Sequence, residues 1–149
     1  MILLNFQIKI WPYSYNNFIC YNMSLLYNKS KNVKELKPKD FKVSNLNESM
    51  KLAKNNSNVT IYYAHWCPHC HNPETIEFME ALGEKLPEKA NIDVNAFNCD
   101  YNNDHRQIAE DVGINGFPTF RFTNSNGKES DYMGPKDMKA FIMFLVKNS

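Results

Sequence analysis

The chain has 149 residues, enough for one domain with a sizeable apolar core and a short extension. Its 17 Lys and Arg residues nearly balance its 16 Asp and Glu residues, and the resulting net charge of +1 argues against a nucleic-acid partner or an anionic membrane surface. The four cysteines (Cys20, Cys67, Cys70 and Cys99) are too few and too unevenly spaced for a disulfide-stapled scaffold.

Residues 1–34 show no sustained hydrophobic period, and we expect a poorly ordered or dispensable extension ahead of a domain at residues 35–149. The first ten residues lack a basic leading segment, a continuous apolar run and a small-residue cleavage site, so they do not match a secretory signal. They are also far short of the roughly 20 apolar residues of a membrane span. We therefore predict no membrane span and a cytoplasmic location, with the secretory pathway or endoplasmic reticulum as the alternative.

Two segments compete for the first strand, residues 33–36 and residues 41–43, with Pro38 between them. Ser44 is a plausible N-cap for a short helix after them. The inward side of this helix carries Leu46, Met50 and Ala53.

Two cysteines, Cys67 and Cys70, follow a β-branched and aromatic run of strand length at residues 59–64. After them the apolar spacing predicts a helix over residues 74–86, where Pro87 ends the pattern. A strand-to-helix junction places the Cys67 sulfur at a helix N-terminus, where unpaired amide groups and the positive end of the macrodipole favour the thiolate. Because the thiolate is the form that attacks disulfides, the pattern indicates redox chemistry at Cys67.

The remaining predicted elements are a half-buried strand at 92–99, a helix from a cap at 102–104 to residue 112, a strand at 118–123, a hairpin turn at 124–127, a strand at 128–133 and a helix from Gly134. Strand-helix-strand units require parallel pairing, whereas the hairpin adds an antiparallel edge. We therefore predict an α/β domain with one mixed sheet and helices on both faces.

Four residues outside the cysteine motif receive structural interpretations. Cys99 is predicted to be a small buried hydrophobic residue, and His65 a neutral surface residue. His105 is predicted to be solvated at the start of its helix, and Arg121 to be exposed between Phe120 and Phe122.

The order of these elements resembles the thioredoxin family over residues 35–149, together with Trp-Cys-Pro-His-Cys at 66–70 and Gly-Phe-Pro-Thr at 116–119. Residues 62–67 are similar to the protein disulfide isomerase branch, and Cys-Pro-His-Cys is similar to bacterial oxidants of the DsbA type. The long helical insertion of the DsbA type is missing. The resemblance implies a compact thioredoxin fold, with a central mixed β-sheet flanked by helices on both faces.

The resemblance also implies roles for individual residues. Cys67 would be the exposed nucleophile and Cys70 the more buried resolving thiol, and the two would form a redox-active disulfide. Pro118 matches the family's cis-proline and would pack against the cysteine pair. The backbone of Phe117 would bind an extended substrate segment, and Trp66 would flank the substrate groove.

The two central residues, Pro68 and His69, would tune the nucleophile. A hydrogen-bond donor or a positive charge at His69 stabilises the Cys67 thiolate, and hence the reduced form, which makes the disulfide more oxidising than one around a Gly-Pro centre. The expected activity is thiol–disulfide exchange on protein substrates without a cofactor or metal. A second protein would donate or accept electrons.

The sequence departs from the family at three positions. Ile61 occupies the usual place of a buried acidic residue, and Ala96 that of a lysine on the next parallel strand. Deprotonation of Cys70 would then rely on water or a histidine. Pro73 lies two positions before the usual helix proline, and its ring removes an amide that could bond to the His69 carbonyl.

Other interpretations stay open on the sequence alone. The motif through His71 fits the c-type haem pattern C-x-x-C-H. A zinc site is the second interpretation, because His65, His69 and His71 lie close to the pair in sequence, although structural zinc needs four ligands and no second C-x-x-C exists. A structural disulfide is a third interpretation. A client-binding or chaperone module with weak redox activity is the fourth, and Ile61 favours it.

Overall fold

The computed structural model describes residues 26–27, 30–43, 49–53 and 56–149. Within these ranges the strands are β1 (Val33–Glu35), β2 (Phe41–Val43), β3 (Met50–Leu52), β4 (Asn58–Tyr63), β5 (Asp93–Asn98), β6 (Thr119–Thr123) and β7 (Glu129–Tyr132). The helices are α1 (Pro68–His71), α2 (Pro73–Ala90), α3 (Asn103–Asp111) and α4 (Met138–Asn148), and one turn of 3-10 helix, Pro38–Asp40, precedes β2. Within the described part of the chain, no helix combines the length and apolarity needed to cross a membrane.

Five strands form one sheet in the order β1-β5-β4-β6-β7. Strand β5 pairs in parallel with both β1 and β4, whereas β6 runs antiparallel to β4, and β7 antiparallel to β6. All six residues of β4 are buried, as expected for a central strand covered on both faces. The predicted mixed sheet is therefore confirmed.

The two faces of the sheet carry separate apolar clusters. Ile61 and Tyr62 are consecutive in β4, so their side chains point to opposite faces. Ile61 belongs to a cluster that includes Phe78, Met79 and Leu82 of α2 together with Phe141 and Leu145 of α4. Tyr62 belongs to a cluster with Ile108 and Ala109 of α3. Helices therefore cover both faces, as predicted.

Both candidate first strands form, but the helix predicted after Ser44 is wrong where the structure describes it. Residues 50–52 are strand β3, which pairs antiparallel with β2 so that Phe41 lies opposite Leu52. The Phe41 ring contacts Phe97 of the large sheet with 4.9 Å between centroids. Pairing and packing with distant residues outweigh a three-residue helical pattern here, and residues 44–48 lie outside the described residues.

Helix α2 continues to Ala90, although Pro87 was predicted to end it. Proline has no N–H to donate to the carbonyl of Gly83, four residues earlier. The Asn32 side chain takes that place, because its Nδ2 donates to the Gly83 carbonyl at 3.2 Å. Gly83 also permits this approach, since a Cβ at that position would collide with the Lys31 carbonyl.

Three other predictions about the second half of the chain are wrong in detail. Strand β5 is buried on both faces, and Asn95 is fully buried, so the strand is not half-buried. His105 is buried rather than solvated, because its ring stacks on Phe97 and its Nδ1 lies 2.7 Å from the Asn98 carbonyl oxygen. Helix α4 begins after the N-cap Asp137, not at the preceding turn.

Arg121 is also buried, in contrast to the exposed strand charge that was predicted. Its Nε and Nη2 donate to the two carboxylate oxygens of Asp131 at 2.7 and 3.0 Å. Its Nη1 donates to the Val112 carbonyl, and the guanidinium lies over the Tyr62 ring. The bidentate ion pair satisfies the charge that burial would otherwise leave unpaired.

Candidate active site

Cys67 lies at the junction between the central strand and a helix, as predicted. The Cys67 N–H donates to the Ala64 carbonyl at 3.1 Å, and Cys67 is the N-cap of α1, with Pro68 at the first helical position. Helix α1 has only four residues, because the extended backbone of Asn72 separates it from α2. The Cys70 N–H donates to the Cys67 carbonyl at 3.1 Å, so this single turn fixes both sulfurs close together.

A groove of about 290 Å³ opens beside Cys67, and it is lined by Trp66, Cys67, Pro68, His69, Asn115, Gly116 and Phe117. The Trp66 and Phe117 rings meet edge to face with 6.0 Å between their centroids. The Phe117–Pro118 peptide bond is cis, as the family resemblance implied. Of the residues predicted for the site, Trp66, Cys67, Pro68, His69 and Phe117 line this groove, whereas Cys70 and Pro118 do not.

The two sulfurs differ in access. Cys67 is 5% exposed, so the expectation of an exposed nucleophile needs correction: its sulfur lies at the floor of the groove, where it donates to the Phe117 carbonyl at 3.6 Å. Cys70 is fully buried, as expected for a resolving thiol, and its side chain hydrogen-bonds that of Cys67. Burial raises the pKa of the Cys70 thiol well above its ordinary range, although the Ala64 N–H group opposes this shift.

The break between α1 and α2 leaves two carbonyl groups without their usual helical partners, and two side chains satisfy them. Pro73 has no N–H for the His69 carbonyl, as predicted, and the Thr75 hydroxyl donates to that oxygen at 2.8 Å. The Tyr27 hydroxyl donates to the Cys70 carbonyl at 3.0 Å within the core. Neither contact was predicted from the sequence, since nothing local links Tyr27 to a residue 43 positions later.

Tyr27 precedes the predicted domain boundary at residue 35. It is 2% exposed and belongs to the apolar cluster that contains both cysteines of the motif. Its ring meets Tyr63 of β4 edge to face at 5.1 Å. The boundary itself stays a prediction, but the described residues just before β1 contribute directly to the surroundings of Cys70.

The three histidines near the motif do not converge on one point. His69 is exposed at the groove, whereas His65 and His71 pack edge to face, and His71 Nε2 contacts the His65 carbonyl. In the described part of the chain, no group of three or more His, Cys, Asp and Glu side chains could hold a metal ion. Cys99 is fully buried, which confirms its interpretation as a small core residue.

The positions of the missing acidic residue and lysine lie side by side in the sheet. Ile61 of β4 is paired with Ala96 of β5, and both are fully buried. Two other carboxyl groups lie in this region, Glu35 of β1 and Asp100 just after β5. The pKa values of both are raised above the ordinary range, chiefly by burial. The sequence analysis singled out neither of them.

Two features now stand together, a Cys-x-x-Cys pair at the end of the central strand β4 and a cis peptide bond between Phe117, which lines the groove, and Pro118. The sequence profile described as Thioredoxin matches residues 32–147. The chain belongs to the thioredoxin family.

Several curated relatives of this thioredoxin-family chain are protein disulfide-isomerases. It is 29% identical to protein disulfide-isomerase like 2-2 of Arabidopsis thaliana over 123 residues, which cover 82% of this chain and 24% of the relative. It is 27% identical to protein disulfide-isomerase 1 of Dictyostelium discoideum over 119 residues, which cover 79% of this chain and 30% of the relative. The thioredoxin-family chain thus spans about a quarter of the length of the first relative and under a third of the second.

Solved thioredoxin domains share the architecture. The J-Trx1 fragment of ERdj5 aligns with a TM-score of 0.61 at 17% identity, covering 82% of this chain and 52% of that fragment. The Trx4 domain of ERdj5 aligns with a TM-score of 0.60 at 20% identity, covering 79% of this chain and 96% of that domain. At this level of identity, the likeness establishes the thioredoxin fold.

Proposed function

We propose that this domain is a thiol–disulfide oxidoreductase that acts on protein disulfides through Cys67 and Cys70. The observation that carries the proposal is the arrangement of the two thiols beside the groove. The Cys67 sulfur forms part of the groove floor next to Phe117, while Cys70 lies fully buried and hydrogen-bonded to it. The names of the curated relatives support the same reaction class.

The reaction needs two exchange steps. The Cys67 thiolate attacks one sulfur of a substrate disulfide, the substrate S–S bond breaks, and one substrate thiolate leaves. The Cys70 thiolate then attacks the Cys67 sulfur, the mixed disulfide breaks, and the second substrate thiolate leaves. The substrate gains two electrons and the cysteine pair becomes a disulfide. The reverse sequence oxidises a substrate dithiol, and a partner protein restores the pair in either case.

We assign substrate binding to the groove. Trp66 and Phe117 both line the groove, where their rings provide apolar surface for an extended client segment beside Cys67. Pro68 and His69 face this groove, and we propose that His69 stabilises the reduced form. The couple would then be more oxidising than the approximately −270 mV of thioredoxin. A redox titration of the Cys67/Cys70 pair against glutathione tests this, and a value near −270 mV would contradict it.

We propose the secretory pathway as the location, in preference to the cytoplasm predicted from the first ten residues. The relatives named protein disulfide-isomerase favour a compartment in which disulfides form, and an oxidising active-site pair fits the same compartment. Fluorescent tagging of the full-length protein tests the assignment. A diffuse cytoplasmic signal would contradict it.

The activity is tested by insulin reduction with dithiothreitol as the electron source. We expect the wild-type protein to accelerate insulin precipitation and Cys67→Ser to abolish the acceleration. Cys99→Ser is the matched control, because Cys99 is as buried as Cys70 but lies at the end of β5, outside the motif. Equal inactivity of wild type and Cys67→Ser would reject the oxidoreductase proposal.

A client-binding module with weak redox activity remains the second candidate. The burial of the Cys67 sulfur and the apolar Ile61 at the usual acidic position favour it. A Cys67→Ser/Cys70→Ser double variant separates the two functions. If it suppresses aggregation of an unfolded client as well as the wild type does, and the wild type shows no turnover, binding is the function.

A further inference from the structure

The release step poses a chemical problem that the groove does not solve. Cys70 must lose a proton before it can attack the mixed disulfide on Cys67, yet Cys70 is fully buried. Burial raises the pKa of its thiol well above the ordinary range, so water alone is a poor acceptor at neutral pH. A base close to Cys70 would solve the problem. The need for such a base rests on the proposed function, because only thiol–disulfide exchange requires the Cys70 thiolate.

The sheet register points to one carboxyl group. Ile61 of β4, Ala96 of β5 and Glu35 of β1 form one row across three parallel strands, so their side chains share a face. The Glu35 side chain extends over β5, where its Oε1 accepts the Tyr63 hydroxyl at 3.0 Å and the Asn98 N–H at 3.1 Å. Because Ala96 has a small side chain, the Glu35 side chain has room to cross β5 at this position.

Two tyrosines connect Glu35 with the surroundings of Cys70. Tyr63 donates to Glu35 and packs edge to face on Tyr27, and the Tyr27 hydroxyl donates to the Cys70 carbonyl at 3.0 Å. Burial raises the pKa of Tyr27, and negative charge on Cys70, Cys67 and Glu35 raises it further. The Tyr27 hydroxyl therefore binds the backbone of Cys70 and lies within electrostatic range of both thiols and of the Glu35 carboxyl group.

The buried thiol of Cys99 is affected by the same two groups, Cys70 and Glu35. The pKa of Cys99 is raised mainly by burial, and negative charge on Asp100, Cys70 and Glu35 adds to the shift. Both Tyr27 and Cys99 thus lie in the field of Cys70 and of Glu35. The geometric connection between the two groups is the contact of Tyr63 with Glu35, of Tyr27 with Tyr63 and of Tyr27 with the Cys70 carbonyl, and these pKa shifts agree with it.

The chemistry of Glu35 suits proton uptake near neutral pH. Burial raises its pKa to about 7, although the hydrogen bonds from Tyr63 and Asn98 lower it. The titratable groups that face Glu35 are the phenols Tyr63 and Tyr27 and the thiol Cys99. No Lys or Arg forms an ion pair with Glu35 among the described residues.

We propose that Glu35 accepts the proton of Cys70 during the release step and that Tyr63 and Tyr27 position the two groups. The Cys70 thiol gives its proton to the Glu35 carboxylate, and the resulting thiolate attacks the Cys67 sulfur. The bond between Cys67 and the substrate breaks, and the substrate thiolate leaves with the electron pair. Glu35 then returns its proton to solvent or to the leaving thiolate.

Asp100 is the competing acceptor, because its negative charge raises the pKa of the Cys70 thiol. Its Oδ1 accepts the His65 N–H at 3.0 Å, which ties the carboxylate to the turn before the motif. The charges of His65 and Arg106 lower the pKa of Asp100 against the effect of burial. Among the described residues no cation lowers the pKa of Glu35, which burial raises to about 7, so we take Glu35 as the acceptor and Asp100 as the matched control.

The test separates the two steps with an aromatic disulfide whose halves leave as coloured thiolates, in a Cys20→Ser background. Attack by Cys67 releases one half, and attack by Cys70 releases the other. We expect Glu35→Gln to slow the second phase about tenfold or more at neutral pH, to remove its inflection near pH 7, and to leave the first phase unchanged. We expect Asp100→Asn to change neither phase more than about twofold.

A purely structural role is distinguished by Tyr63→Phe, which keeps the carboxyl group but removes a hydrogen bond that lowers its pKa. The inflection of the second phase should then move to higher pH. A second phase within about twofold of wild type in Glu35→Gln, or a loss confined to Asp100→Asn, overturns the proposal while the first phase still supports the proposed function. Absence of the first phase in the wild type rejects both.

Discussion

The two sulfurs of one four-residue motif lie in contrasting surroundings. Cys67 forms part of the floor of a groove bordered by two aromatic rings, within hydrogen-bond distance of the Phe117 carbonyl. Cys70 lies behind it in the apolar core, where the Tyr27 hydroxyl donates to its carbonyl and the Ala64 N–H, just after β4, contacts its sulfur. One turn of helix thus separates the Cys67 thiol, which borders the groove, from the Cys70 thiol, which is enclosed in the core.

This contrast teaches that attack and release depend on different parts of the chain. The groove is built from the residues around the motif and from the loop before β6, and these determine access to Cys67. The surroundings of Cys70 are built from β1, β4 and Tyr27, which do not line the groove. Substitutions in one region should therefore change one step and spare the other.

The largest expected effect comes from removing each sulfur in turn. Cys70→Ser should keep the attack by Cys67 but lower turnover by more than about a hundredfold, because the mixed disulfide has no internal thiol to resolve it. Non-reducing electrophoresis should show the trapped client adduct. Cys67→Ser should form no adduct. An adduct in Cys67→Ser that is absent in Cys70→Ser would reverse the assigned roles.

The next effect concerns stability and pH. The pKa of Glu35 is about 7 in the fold against 4.5 ordinarily, so its contribution to folding is complete below about pH 4.5 and is lost as pH rises through 7. Glu35→Gln should therefore raise the free energy of unfolding near pH 8 by about 3 kcal/mol and flatten its decline between about pH 5 and 7. Denaturant titrations at several pH values measure both quantities.

Glu88→Gln is the control for this stability effect, because Glu88 is exposed and pairs only with exposed Lys31. Its substitution should change the free energy of unfolding by less than about 1 kcal/mol at any pH. The same decline with pH in Glu35→Gln and in the wild type would show that Glu35 ionises in the folded protein as freely as in the unfolded chain.

The smallest expected effect concerns the hydrogen bonds to the Cys70 and His69 carbonyl groups at the break between α1 and α2. Tyr27→Phe and Thr75→Val each remove one hydrogen bond to a carbonyl and keep most of the side-chain volume, so each should destabilise the fold by about 1–2 kcal/mol. Tyr27→Phe should also slow release by Cys70 relative to attack by Cys67. Thr75→Val should leave the ratio of the two rates unchanged. Identical ratios in both variants would remove Tyr27 from the positioning of Cys70.

The local hydrophobic pattern and the sequence motifs were sufficient to predict the elements that form the groove beside Cys67. The β-branched run before Cys67, the helical spacing after Cys70 and the Gly-Phe-Pro-Thr sequence predicted the central strand, α2 and the cis-proline loop. Each of these signals lies within about a dozen residues. That is the range over which hydrophobic period and turn chemistry operate.

The surroundings of Cys70 could not be predicted in this way, because the contacts there join distant parts of the chain. The hydrogen-bond partner of Tyr27 is 43 residues away, and that of Glu35, the Tyr63 hydroxyl, is 28 residues away. The strand at 50–52 likewise depends on its pairing with β2. Arg121 is the exception, since a hairpin turn at 124–127 places it opposite Asp131, and that register could have indicated an ion pair.

The most direct test of the contrast between the sulfurs is competitive alkylation of the reduced native protein with limiting iodoacetamide, read by peptide mass spectrometry. The structure predicts that Cys67 is modified at least about tenfold faster than Cys70, because the groove reaches Cys67 and the core encloses Cys70 as a protonated thiol. Equal modification of both cysteines, or faster modification of Cys70, would contradict the division of roles.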